Sequence, residues 1–185
     1  MHGTHAWTPF LRTLLLTPLL TFLSFPAGAA PNEAREVEIL GWIEWVWLRD
    51  PVMKIKAKMD TGAQTSSLHA TIIKRFKMSG KRWVRFEIKN PETGDVVTLV
   101  RERQRTVGIV QHTGENDVRP TVMMKICVSG HMLETEFSLA ERGKFTYDML
   151  LGRNTLRRFA LIDPAKTFLG DKDCLRRLAP PAETP

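Results

Sequence analysis

The residues best suited to do chemistry sit together at the end of one alternating run. Within "KIKAKMDTGAQTSSLHA" (Lys54–Ala70), the lysines Lys54, Lys56 and Lys58 alternate with Ile55, Ala57 and Met59, Met53 continues the apolar set, and the run ends in Asp60-Thr61-Gly62. Strict period two predicts a strand with one buried and one wet face. Asp60 falls on the wet parity at the strand's end. Gly62 permits a sharp turn because it has no Cβ, so the turn's amides can point at the carboxylate. Thr61 can hydrogen-bond to a neighbouring loop, and Thr65, Ser66 and Ser67 offer hydroxyls to the same cage. A carboxylate held and presented in this way suits general acid–base work. Taken alone, Asp-Thr-Gly is equally an ordinary turn between strands, so its surroundings decide.

Those surroundings read as a succession of short strands. "VEILGWIEWVWL" precedes the quoted run, with Trp45 and Trp47 sharing the parity of Ile43 and with Trp42 opposite. These aromatics could stack on a sugar or ligand, though packing of a strand is the commoner use. Residues 65–77 are expected to hold a turn or short helix. "RWVRFEI" and "VVTLV" flank the hairpin signal "NPETGD". "RTVGIV" and "RPTVMMKICV" flank the polar tip "QHTGEND", and "MLETEFSLA" and "FTYDMLLG" follow. Arg153 to Phe159 predicts one short helix, and "FALIDPAKTFL" a last strand pair. Many short strands with turn signals about every ten residues predict a small all-β barrel or sandwich in a single domain, residues 30–185.

The first 29 residues read differently. An apolar run from Leu11 to Phe25 follows His2, His5 and Arg12, no acid precedes Glu33, and Ala27-Gly28-Ala29 closes it. This is the pattern of a cleaved secretory signal peptide, residues 1–29, and predicts a periplasmic protein with no membrane span after cleavage. An uncleaved anchor is the rival reading, but the run is shorter than the ~20 residues a spanning helix needs. Residues 1–29 carry Arg12 and no acid, so their removal leaves twenty-six cations against twenty acids, a formal +6. The cations cluster at Lys74, Arg75, Lys77, Lys81, Arg82 and Arg85, and again at Arg101, Arg103 and Arg105; a solvated basic face is the plain reading. Export and the lack of a reading motif argue against nucleic acid as a partner. Cys127 and Cys174 could pair in an exported chain, while Cys127, inside an apolar run, suits a buried free thiol equally well.

The context of Asp60 extends further. The tripeptide follows an alternating strand and continues as Ala63-x-Thr65-Ser66, and some eighty residues later comes "MLLGRN": Met149, Leu150, Leu151, Gly152, Arg153, Asn154. With "GWIEWV", "RP" after the polar hairpin and "YDMLLGRNTL", the chain resembles the bacterial retropepsin-like aspartic peptidase family, formerly labelled ATP-dependent zinc proteases and associated with RimK-type ligases. The resemblance runs from about Gly41 to Asp163. The family's usual pattern has Pro where this chain has Asp148. The resemblance implies a closed barrel with one short C-terminal helix and an acid loop at its centre. It implies that Asp60 is the catalytic aspartate, that Thr61, Gly62, Ala63 and Thr65 shape its loop, and that Leu150, Leu151 and Gly152 pack beneath it. Arg153 would fix the loop or a dimer contact by pairing with an acid. The hairpin 101–120, with Gly108, His112 and Gly114, would be a flap over the substrate.

Peptide hydrolysis by carboxylates needs two of them sharing one proton. The chain has one Asp-Thr-Gly; Asp163 lacks the glycine turn and Asp148 precedes the apolar run. The second Asp60 is therefore expected from a second copy, across a two-fold axis, giving a homodimeric aspartic endopeptidase acting on protein or peptide substrates. No cofactor is expected. A metal site is unsupported: His69, His112 and His131 are the histidines after residue 29, no H-E-x-x-H occurs, and no phosphate-binding G-x-x-x-x-G-K-[ST] is present. The alternatives from other classes are a non-catalytic module of the same fold that binds peptide or envelope polymer, and a zinc-dependent peptidase.

Overall fold

The computed structural model describes residues 37–110, 116–143 and 145–170, with Gly3, Cys174 and Leu178. Gly3 apart, these lie in the second of the chain's two units, Arg35–Pro185. The segment read as a signal peptide, Gly3 apart, falls outside the described residues, as do His112 and Gly114.

The elements run in the order β1 (Glu38–Gly41), β2 (Ile43–Leu48), β3 (Met53–Asp60), β4 (Ser66–His69), β5 (Thr71–Met78), β6 (Lys81–Lys89), β7 (Val96–Glu102), β8 (Thr106–Val110), β9 (Asn116–Val128), β10 (His131–Ala140), β11 (Met149–Gly152), α1 (Arg153–Leu156) and β12 (Ala160–Asp163). The expected all-β fold is present. Strands β10-β4-β11-β3-β2-β9 pair in that order, and β9 pairs back with β10, closing a six-stranded barrel. The β3 alternation does what its period requires: Met53, Ile55, Ala57 and Met59 point into the core at 3% exposure or less. Val46, Leu48, Val122, Phe137, Leu139, Met149 and Leu151 meet them there. Among the described residues no helix is long and apolar enough to cross a membrane.

A second sheet, β5-β6-β7, carries Val84, Phe86 and Ile88 on the face that joins the same core. Its β6–β7 turn is the predicted one: Asn90 Oδ1 accepts from the amides of Glu92 and Thr93, and Gly94 has φ 81°. Here a tight loop needs the left-handed backbone that glycine tolerates.

Three expectations change and one open choice closes. Residues 65–77 hold β4 and most of β5, not a turn or helix: β4 lies between β10 and β11 with Ser66, Ser67 and Leu68 buried, so its backbone groups need partners on both sides. The short helix ends at Leu156 rather than Phe159. The last strand pair is a single strand, β12, parallel to β1. An Asx turn, with the Ala165 amide donating to Asp163 Oδ1, ends it. The chain then becomes a strap: the Trp42 amide donates to Lys166 O and the Phe168 amide to Ile43 O. Buried Glu44 holds the strap's end, accepting from the amides of Leu169 (2.8 Å) and Gly170 (3.1 Å) and from that of Gly41 (2.6 Å). Finally, the apolar setting of Cys127 does not leave a free thiol. It is bonded to Cys174.

The tryptophan face is half outside. Trp45 and Trp47 are half-buried, Phe168 of the strap stacks on Trp45 at 5.4 Å, and Lys54 Nζ lies 4.2 Å from the Trp45 ring. Their use is packing against the strap and the β3 lysines.

Candidate active site

The site begins where β3 ends. In parallel pairing with β11, Leu151 stands opposite Met59 and Gly152 opposite Asp60. The chain leaves the strand in a turn whose amides fold back: the Gly62 N–H donates to Asp60 Oδ1 at 3.0 Å and that of Ala63 at 3.2 Å. The side chain of Asp60 is 22% exposed, and its second oxygen, Oδ2, lies 3.3 Å from Lys58 Nζ. One carboxylate oxygen is thus fixed by backbone and the other pairs with the Lys58 ammonium.

Arg153, the first residue of α1, secures the turn from below. Its Nη1 donates to the carbonyls of Thr61 (2.7 Å) and Gly62 (2.8 Å). The resemblance implied that it fixes the loop or a dimer contact by pairing with an acid; within this chain it grips the backbone carbonyls of the loop. The amides of Arg153 and Asn154 donate to Ala63 O and Gln64 O. Gly152 is where the two segments touch: a Cβ there would come within 3.0 Å of backbone atoms of Thr65, Gln64 and Ala63. Leu151 is fully buried and Leu150 nearly so.

Beneath the turn runs a buried chain of hydroxyls that the sequence did not reveal as a unit. Thr135 bonds Thr155 at 2.7 Å, Thr155 bonds Ser66 at 2.8 Å, and Ser66 Oγ accepts from the Gly152 amide at 3.1 Å. Ser138 donates to Ser66 O. These residues come from β10, α1, β4 and β11, so the network joins the parts of the barrel around the Asp60 turn. The one signal available was their type, small hydroxyl residues in otherwise apolar strands. Ser67, grouped with the same cage, does not join: its Oγ is buried without a partner among the described residues.

Thr65 faces the other way. Its Oγ1 accepts from Arg105 Nη2 at 3.3 Å, while Arg105 forms a two-point pair with Glu136 at 2.7 and 2.8 Å. Arg105 sits at the root of the β8–β9 hairpin, and its backbone exchanges hydrogen bonds with Thr121. Strands β8 and β9 of the expected flap pair antiparallel, and Arg105 anchors them beside the candidate site. Gly108 lies opposite Val118, exposed and with open space around it. Burial opposes ionisation of Glu136, but hydrogen bonds from Arg105 and Thr121 and the Arg105 charge outweigh it and lower its pKa.

A second arginine is close enough to feel the site. Arg142 is 6% exposed; its Nε donates to Tyr147 O, its amide donates to His69 Nδ1 at 2.7 Å, and Phe145 covers its guanidinium. Burial and the charge of Arg119 lower its pKa, against the pull of Asp148 and Asp60. His69 thus holds a loop, and its amide donates to Asp148 O. Among the described residues no three His, Cys, Asp or Glu side chains converge.

The chain is similar to several known proteins. A region of Shewanella pealeana "Probable alpha-L-glutamate ligase" is 36% identical over 139 residues, 72% of this chain and 30% of that protein. The protein of that name from Desulfotalea psychrophila is 32% identical over 132 residues, 69% of this chain and 28% of its own length. The chain therefore spans about a third of these relatives. A crystal structure of a Legionella pneumophila protein of unknown function superposes with TM-score 0.62 at 29% identity, covering 72% of this chain and 98% of that one. Residues 39–173 match the model of the RimB-like family, described as "Retropepsin-like aspartic endopeptidase RimB". The chain belongs to that family.

Proposed function

We propose that this protein is an exported aspartic endopeptidase that works as a homodimer, each copy supplying one Asp60. The observation that carries the reading is the Asp60 carboxylate itself, at the end of β3: one oxygen is fixed by the Gly62 and Ala63 amides, and the other is held by the Lys58 ammonium of a half-exposed side chain. One carboxylate of the pair takes a proton from water as it attacks the peptide carbonyl, and the protonated partner donates to the carbonyl oxygen. Thr61, Gly62, Ala63 and Arg153 keep Oδ1 in place, so the proton is handled at Oδ2.

Two further observations support parts of this reading. In the β1–β12 pair, Ile39 and Leu161 stand directly opposite each other and are 58% and 62% exposed, an apolar patch that a second copy could cover. The Cys127–Cys174 disulfide suits an oxidising compartment and so the periplasm. The names of the relatives make glutamate-bearing peptides the first substrates to try.

The test is cleavage of a peptide library, glutamate-tailed members included, by the mature protein and by Asp60→Asn. The variant should remain folded by circular dichroism and lose at least ~100-fold in rate, because an amide cannot relay the proton. A chelator should leave the wild-type rate unchanged. Undiminished cleavage by Asp60→Asn would overturn the proposal, and loss with chelator restored by zinc would favour the zinc-dependent peptidase.

A further inference from the structure

The basic cluster that the sequence offered as a solvated face has a specific arrangement. Lys77 pairs with Arg82 across β5 and β6. The backbone N–H of Arg103, just past β7, donates to Arg82 O at 2.7 Å and extends the row. One step along the same face, Arg75 pairs with Val84. Like charges placed directly opposite each other in a sheet are destabilising, and here three stand in a row with a fourth beside it. They surround a cavity of about 220 Å³, lined by Arg75, Phe76, Lys77, Arg82, Trp83 and Arg103 and by no acid. Among the described residues none of the four cations has a side-chain hydrogen bond or ion pair. The neighbouring acid Glu102 is taken by Lys81 at 2.7 Å. The indole of Trp83 is held by its own bond to Met78 O.

We infer that this cavity is a binding site for a phosphate-bearing ligand, separate from the Asp60 site and on a different sheet. Four uncompensated cations around so small a volume call for an anion of concentrated charge. A phosphate monoester or pyrophosphate supplies two or more negative charges there, and a phosphodiester headgroup supplies one, shared by two free oxygens that an arginine fork can take together. Three of the four are arginines, whose planar forks match phosphate oxygens in two-point contacts. Phe76 and Trp83 in the wall, with exposed Ile73 and Met78 on β5, suit an apolar portion joined to the phosphate. The shared chemistry is the phosphate group; it can arrive on a soluble molecule or on a lipid headgroup.

The experiment uses the mature chain and three ligands: pyrophosphate by calorimetry, vesicles of phosphatidylcholine with or without phosphatidylglycerol by co-sedimentation, and hexaglutamate by calorimetry. Arg75→Gln/Arg103→Gln and Lys77→Gln/Arg82→Gln remove cavity cations, and Lys54→Gln/Lys56→Gln removes the same charge elsewhere, with melting curves to check folding. The expected result is binding of at least one phosphate source, weakened at least ~10-fold by either cavity pair and much less by the control pair. Pyrophosphate alone would mark a soluble ligand, and phosphatidylglycerol vesicles alone a headgroup. The inference is overturned if neither source binds, if the control pair weakens binding as much as the cavity pairs, or if the cavity pairs weaken hexaglutamate binding as much as pyrophosphate binding, which would make the cavity a docking site for acidic peptide.

Discussion

At the scale of single residues, the candidate site depends on a contact that no side chain makes. Gly152 lets β11 lie against the backbone of Ala63, Gln64 and Thr65, where a Cβ would come as near as 2.8 Å. Neither side of that contact is the flexible end of a side chain, so the segments must separate to admit a methyl group. Gly152→Ala is expected to destabilise the fold by about 1–3 kcal/mol and to reduce cleavage further by releasing the turn that holds Asp60. Thermal unfolding and cleavage rates of the variant check this; an unchanged melting temperature with a wild-type rate would contradict it. Asp60 was legible in the sequence because three signals coincided: an alternating strand, the acid at its end and a glycine two residues on. Arg153 was legible as a residue but not in its partner. Backbone carbonyls accept hydrogen bonds at every position, so nothing in the residue types marks the Thr61 and Gly62 carbonyls as its targets. The Thr135–Thr155–Ser66 chain was hidden for a related reason: its members lie far apart in sequence and become neighbours only when the barrel closes.

At the scale of elements, the hairpin β8–β9 is tied to the Asp60 loop by one arginine. Arg105 pairs with Glu136 of β10 and reaches Thr65. Because the folded-state pKa of Glu136 is lowered, its contribution is present above the ordinary carboxyl value of 4.5 and is lost as pH falls through the folded value. Arg105 is half exposed, so solvent screens the pair and its worth is about 0.5–1 kcal/mol. Glu136→Gln should therefore melt below wild type at pH 7, and the gap should narrow at pH 3. Thermal unfolding of both proteins at the two pH values measures it, and a gap as wide in acid as at pH 7 would contradict the assignment. Most strands were readable from period-two alternation and turn chemistry. β4 was not: with Ser66, Ser67 and Leu68 all buried between two neighbours, it has no wet face and so no alternation to read. The strap after β12 was also unreadable, since it is held by Glu44 and backbone bonds rather than by a pattern of its own.

At the scale of the whole molecule, two features reach beyond local pattern. The disulfide closes a loop with a separation of 47 residues and ties Cys174, beyond the strap, to β9. Its removal by Cys174→Ser, or by reductant, should lower the unfolding free energy by about 2–4 kcal/mol, chiefly by freeing the unfolded chain. A denaturant titration reads this directly, and an unmoved midpoint would contradict it. The other feature is the number of carboxylates. One chain brings one amide-held Asp60, and the proposed chemistry needs two. The most direct measurement mixes wild type with Asp60→Asn in equal amounts, lets subunits exchange, and compares cleavage with the same total amount of wild type. If each active unit needs an Asp60 from both copies, random pairing leaves about one dimer in four intact, and activity falls to about a quarter. If each chain cleaves by itself, activity stays at about a half, and the shared dyad is contradicted.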